Sequence, residues 1–206
     1  MKKILLLALP ALLFLAGCSS SKVTTSWVSK DANISRNNFS KILVMGLLSN
    51  KNRSSNVSME NHLVTELQNR GINAVASTDV YGPRAFDKLT EAEAISKMDQ
   101  SGIDGVITIT MIDKNKKEQY VNNYIGGPYS WWGYYSYWSP FMWGPGYGYI
   151  RNYSAYTFET NLYNLNRSEQ LIYSAHSETT DPSSAQTLGK DYAKSIAEDL
   201  TRKGLF

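Results

Sequence analysis

One cysteine, two histidines and a few spaced acidic residues are what this 206-residue chain offers for chemistry. Cys18 is the only thiol, so no disulfide can form within the chain and the sulfur is available as a nucleophile. His62 precedes Glu66 by four residues, which on a helix makes a surface pair worth a few tenths of a kcal/mol. His176 lies in a β-like run and is expected to point away from Tyr173 and Ala175, toward solvent or a helix. Neither histidine sits in an HExxH pattern, and a zinc site needs several convergent N or S donors, so no metal and no cofactor is expected. Glu159 and Glu178 fall on adjacent expected strands, where paired carboxylates can hydrolyse a glycosidic bond. Glu91 and Glu93 read as first-turn acids that favour a helix dipole. A G-x-S-x-G elbow, a GxxxxGK[ST] loop and a strand–GxGxxG–helix unit are all missing, which leaves a non-catalytic protein as the expectation.

The densest chemical signal is aromatic. GGPYSWWGYYSYWSPFMWGPGYGY runs from Gly126 to Tyr149, and no charge occurs between Gln119 and Ile150. A core strand or helix is excluded by the glycines and prolines, and each buried tyrosine would need a hydroxyl partner. A membrane span is excluded because lipid would leave the broken backbone unpaired. Three readings stand. The first is a mobile Gly/Tyr segment without a dedicated ligand. The second is a protein-interaction surface, since Trp and Tyr dominate binding hot spots. The third is contact with a membrane interface or stacking on glycan rings. The candidate contact residues are Trp131, Trp132, Tyr134, Tyr135, Tyr137, Trp138, Phe141 and Trp143.

The N-terminus explains the cysteine. Lys2 and Lys3 precede an apolar run from Ile4 to Leu15, too short for a spanning helix of about 20 residues. Leu15-Ala16-Gly17-Cys18 resembles the lipobox of bacterial lipoproteins. That resemblance implies cleavage after residue 17, a diacylglyceryl group on the Cys18 sulfur and acylation of the new amino group. Several chains at about 0.8 kcal/mol per buried CH₂ make a stable anchor. Ser19 follows where an Asp would mark inner-membrane retention in enterobacterial lipoproteins, so the resemblance implies the outer membrane, facing the periplasm. Residues 18–23 read as the lipidated cysteine and a short tether of at most ~20 Å. Loss of Lys2 and Lys3 lowers the formal net charge from +3 to about +1, so nucleic acid is not an expected partner.

These features must be held by one domain, residues 24–206, with 122–150 as an insert. Thr24–Ser29 reads as a strand with Trp27 as its large apolar anchor. Lys41–Leu48, KILVMGLL, is a continuous apolar run of strand length. Ser54, Ser55 or Asn56 can cap a helix that carries Met59, Leu63, Val64 and Leu67 on one stripe, reaches Arg70 and stops at Gly71. Ile72–Ser77 is a short strand. Thr90 and Glu93 match a capping box for a helix ended by Gly102. Ile103–Asp113 is apolar on both faces, as a central strand is. After the insert, Tyr156, Phe158 and Leu162 alternate with Thr157, Glu159 and Asn161. A returning strand carries Leu171, Tyr173 and Ala175. Asp181-Pro182-Ser183 opens a last helix with Ala185, Leu188, Tyr192, Ile196 and Leu200 on one face.

The expected fold is therefore α/β: a mixed sheet of about five to six strands, with three helices mainly on one face. The insert becomes an overlong connection between two antiparallel strands, a length that tends to be functional or disordered. FSKILVMGL with its capped helix, LQNRGINAVAS, SGIDGVITITMID and LYNLNRSEQLIYSAHSE resemble small, uncharacterised bacterial envelope lipoproteins. The layout is similar to the α/β domain of curli-secretion lipoproteins and to the N-terminal domain of TolB. What this implies is an outer-membrane-anchored binding or assembly module, with an envelope protein as partner and the aromatic insert as contact surface. Two alternatives are a structural envelope-maintenance lipoprotein, and a membrane-surface or glycan-contacting protein.

Overall fold

A computed structural model describes residues 20–30, 39–83, 85–115, 133, 154–167 and 170–206. Six strands form one mixed sheet: β1 (Ser21–Val28), β2 (Ile42–Gly46), β3 (Ala74–Ala76), β4 (Gly105–Asn115), β5 (Ala155–Asn164) and β6 (Gln170–Thr180). Their spatial order is β1-β6-β5-β4-β2-β3. β2 is parallel to both β3 and β4, whereas β4, β5, β6 and β1 pair antiparallel in succession. The helices are α1 (Arg53–Gln68), the single turn α2 (Ser77–Val80), α3 (Glu91–Gln100) and α4 (Ala185–Arg202). Among the described residues no helix is long and apolar enough to cross a membrane.

The apolar run of β2 is explained by its place. With strands on both sides and helices on both faces, Ile42 and Val44 join one core cluster, and Leu43 and Met45 join another. The first cluster lies under α1 and α4, which supply Met59, Leu63, Leu67, Leu188, Tyr192, Ile196 and Leu200. The second lies under α3, through Ala94 and Met98, with Phe86 beside them. The β2–α1–β3 crossover moves outward along the sheet, and the β3–α3–β4 crossover moves back across β2. Crossovers of one hand that travel in opposite directions place their helices on opposite faces. Two of the three long helices thus share a face, and α3 covers the other.

Local signals set the ends of the three long helices with one exception. Thr90 and Glu93 form the expected capping box: the Glu93 N–H donates to Thr90 Oγ1 at 3.3 Å and the Thr90 N–H to Glu93 Oε2 at 2.8 Å. Gly71 and Gly102 take φ of +78° and +68°, a region glycine enters without a Cβ clash. Ser184 caps α4 by accepting from the Thr187 N–H. The exception is α1. It begins after a 3₁₀ turn, Asn50–Asn52, and Asn52 makes no side-chain cap. Asn56, expected as a cap, instead accepts from the Leu48 N–H and donates to Glu60.

Two further expectations change. β1 begins at Ser21, so Ser21–Val23 are strand and not free tether. Trp27 does not anchor β1 in the core: it is 41% exposed on the edge strand, facing away from α1 and α4, while Val28 packs against the first cluster.

Candidate functional site

Cys18 and the eight candidate contact residues, Trp131, Trp132, Tyr134, Tyr135, Tyr137, Trp138, Phe141 and Trp143, lie outside the described residues. Their points of attachment are described, and they converge. β4 and β5 pair antiparallel up to Asn115↔Ala155, so the intervening stretch does join adjacent antiparallel strands. Ala155 is also opposite Thr180 on β6. The Thr180 N–H donates to the carbonyl of Ser20 at 2.9 Å. Ser20, Thr180, Ala155 and Asn115 therefore form one row across four strands at one end of the sheet.

That row is braced. Ser20 donates from its N–H (3.1 Å) and its hydroxyl (2.7 Å) to Asp191 Oδ2 on α4. Ser154 and Asp181 exchange two hydrogen bonds: the Asp181 N–H to the Ser154 carbonyl at 3.0 Å, and the Ser154 N–H to Asp181 Oδ1 at 2.7 Å. Asp181 takes φ of +43°, a conformation that Asp tolerates better than most residues. Lys114 lies 5.0 Å over the Tyr156 ring, a cation–π contact at the foot of the insert.

Beside the middle of β4, at the C-terminal end of β2, lies a buried carboxylate that sequence patterning missed. Glu60 accepts from the Gly46 N–H (2.8 Å), the Thr78 N–H (2.9 Å), the Thr78 hydroxyl (2.6 Å) and Asn56 (3.2 Å). It clamps the C-terminal end of β2 to α1 and α2. Burial raises its pKa above the usual 4.5, outweighing hydrogen bonds that act the other way. Gly46 packs directly on this cluster: a Cβ there would stand 2.0 Å from Asn56 Oδ1, so the Asn56 side chain would have to shift.

Away from the second core cluster, the sheet face opposite α1 and α4 is polar. Two rows cross β4, β5 and β6: Thr108–Asn161–Ser174 and Thr110–Glu159–His176. Thr108, Thr110, Glu159, Asn161 and Ser174 are buried. Thr108 Oγ1, Thr110 Oγ1, Asn161 Oδ1, Ser174 Oγ and His176 Nε2 have no hydrogen-bond partner among the described residues. This patch is uncommon, because buried polar atoms are normally paired. The sequence carried a trace of it in the polar alternate positions of β5.

The residues considered for catalysis fall in separate parts of the fold, apart from one pair. That pair is Glu159 and Glu178, diagonal neighbours on one face; Asn161 donates to Glu159, and Lys22 pairs with Glu178 at 3.6 Å at the sheet edge. His62 does not pair with Glu66: its Nδ1 donates to the Ser58 carbonyl at 2.8 Å, and Glu66 binds Arg70. His62 lies on α1 and His176 on the opposite face of the sheet. Among the described residues no group of three His, Cys, Asp or Glu side chains is placed to hold a metal ion.

No family model matches this chain, and no curated protein is similar to it by sequence. Among solved structures it is similar to the PelC dodecamer of Paraburkholderia phytofirmans, with a TM-score of 0.48 and 10% identity over 86% of this chain and 95% of that one. It is also similar to the lipoprotein GNA1162 of Neisseria meningitidis, with a TM-score of 0.42 and 13% identity over 79% of this chain and 98% of that one.

Proposed function

We propose that this chain is an envelope lipoprotein, acylated at Cys18 and held at the outer membrane facing the periplasm. It acts as a binding or assembly module and not as a catalyst, and the aromatic segment centred on Trp131–Trp143 is its contact surface. The observation that supports this reading is the row Ser20–Thr180–Ala155–Asn115, which brings Ser20, two residues after Cys18, and the ends of the two strands that flank the aromatic segment to one braced end of the sheet. A long uncharged aromatic stretch between two paired strands suits recognition, since Trp and Tyr supply most binding energy at interfaces.

Two measurements test it. Metabolic labelling with an alkynyl palmitate should mark the intact protein and fail on Cys18→Ser. In-cell photocrosslinking should give discrete adducts with the intact chain, and these should disappear when residues 122–150 are deleted while membrane association and folding persist. Equal capture by both forms would remove the segment from the contact surface.

A further inference from the structure

The link between anchor and domain is shorter than a tether. Ser20 follows Cys18 by two residues, which span at most about 7 Å even when fully extended. Ser20 is itself immobilised by its two bonds to Asp191 and the bond from Thr180. β1 starts at the next residue, with Ser21 buried and accepting from Thr179 Oγ1 at 2.9 Å. No slack exists between the second residue after the cysteine and the rigid body of the sheet.

The far end of the sheet is distant. β6 has 11 residues, so Gln170 lies about 35 Å from Thr180. α4 has 18 residues and reaches about 27 Å from its start to its end at Arg202. The interfacial layer of each leaflet is only about 5–7 Å thick. With acyl chains in the hydrocarbon and a link of about 7 Å, Ser20 sits in or directly above the headgroups.

Resting on the Cys18 acylation proposed above, we propose that the domain stands end-on against the bilayer. The end bearing Ser20, Ser154 and Thr180–Asp181 is a docking surface for the headgroup layer that holds the chain's own lipid. The opposite end, with Ser40, Asp104, Asn166 and Lys203, points away. Cys18 and Ser19 are the only residues left to act as a linker, and their short reach keeps the Ser20 end close to the lipid.

The experiment uses the acylated protein reconstituted in phosphatidylcholine/phosphatidylethanolamine vesicles that contain a headgroup spin-labelled lipid. With Cys18 acylated, a single added cysteine is the only free thiol. Ser183→Cys marks the proposed membrane end and Lys203→Cys the far end, and both positions are exposed. Each is labelled with a small fluorophore. The expected result is several-fold stronger quenching at position 183 than at 203, falling toward equality when about a dozen Gly/Ser residues are inserted before Ser20. Equal quenching at both positions without the insertion, in protein that floats with the vesicles, overturns the end-on seating and leaves the acylation standing. Protein that does not float overturns both.

Discussion

The sheet buries its two faces by different means. Under α1 and α4 it buries hydrocarbon, and most polar groups that enter find a partner. The Thr160 and Tyr192 hydroxyls meet at 2.6 Å, and the Tyr173 hydroxyl donates to Asp199 Oδ2 at 2.9 Å. Ser177 is the only strand residue on that face left unpaired among the described residues. On the other face, past Val106, Tyr163 and Leu171, the strands carry two polar rows in which Thr108 Oγ1, Thr110 Oγ1, Asn161 Oδ1, Ser174 Oγ and His176 Nε2 have no partner among the described residues. Net hydrogen-bond energy is small, but an unmade buried bond costs about 1–3 kcal/mol. Among the described residues, the face under α1 and α4 is thus the better satisfied of the two, and the part of the other face beyond the α3 cluster is the less.

That contrast can be broken first where the helices meet. Gly189 lets α4 approach α1 so closely that an added Cβ would stand 2.7 Å from the Ser58 backbone carbonyl. Backbone cannot swing aside, so Gly189→Val should destabilise by about 3 kcal/mol or more, read as a lower urea midpoint. Asp199→Ala comes next. It leaves the buried Tyr173 hydroxyl without an acceptor and also removes the Arg202 contact. A loss of about 2–3 kcal/mol is expected, and Tyr173→Phe in the same background should recover part of it.

The Glu60 clamp adds a pH dependence. Its folded pKa is raised above 4.5, so the folded state binds the proton more tightly than the unfolded chain. Its contribution is then fully present below the unfolded pKa and is lost as pH rises through the raised folded value. Glu60→Gln cannot titrate. It should be less stable than the parent by about 1–2 kcal/mol, because its amide NH₂ brings two hydrogens into a ring of donors where the protonated carboxyl brings one. The gap should narrow as pH climbs past 4.5, in denaturation curves taken at several pH values. A constant gap would show that the carboxyl does not carry the dependence.

These residues also mark how far the sequence could be read. The run Ile42–Met45, the Thr90/Glu93 box, the glycine stops and the α4 stripe are signals within one element, and they gave the mixed sheet and the place of the insert. Glu60 is different. Its donors come from positions 46 and 78, brought together only by the β2–α1–β3 crossover, and no window along α1 contains them. Asn56 looked like a cap because capping is a local rule, and a tertiary bond to Leu48 claimed its side chain. Trp27 looked like an anchor because size implies burial, until the sheet placed it on an edge. At the candidate site, the attachment of the insert to antiparallel strands was readable. The brace on Ser20 was not, because Asp191 is 171 residues away.

The smallest effect is the sharpest test of the comparison between faces. Thr108 and Thr160 are both buried β-strand threonines, one on each face. Valine has nearly the same shape as threonine, so the substitution removes a hydroxyl and little else. On the helix face, Thr160→Val strands the Tyr192 hydroxyl and should cost about 1 kcal/mol. On the polar face, Thr108→Val removes a hydroxyl with no partner among the described residues and should raise stability by about 0.5–1 kcal/mol. Thr110→Val should behave like Thr108→Val. Opposite signs for chemically identical substitutions, measured by equilibrium unfolding, would establish that the two faces differ in how their polar groups are satisfied. Equal losses on both faces would mean that the Thr108 and Thr110 hydroxyls are bonded in solution, and that the polar rows hold something in place.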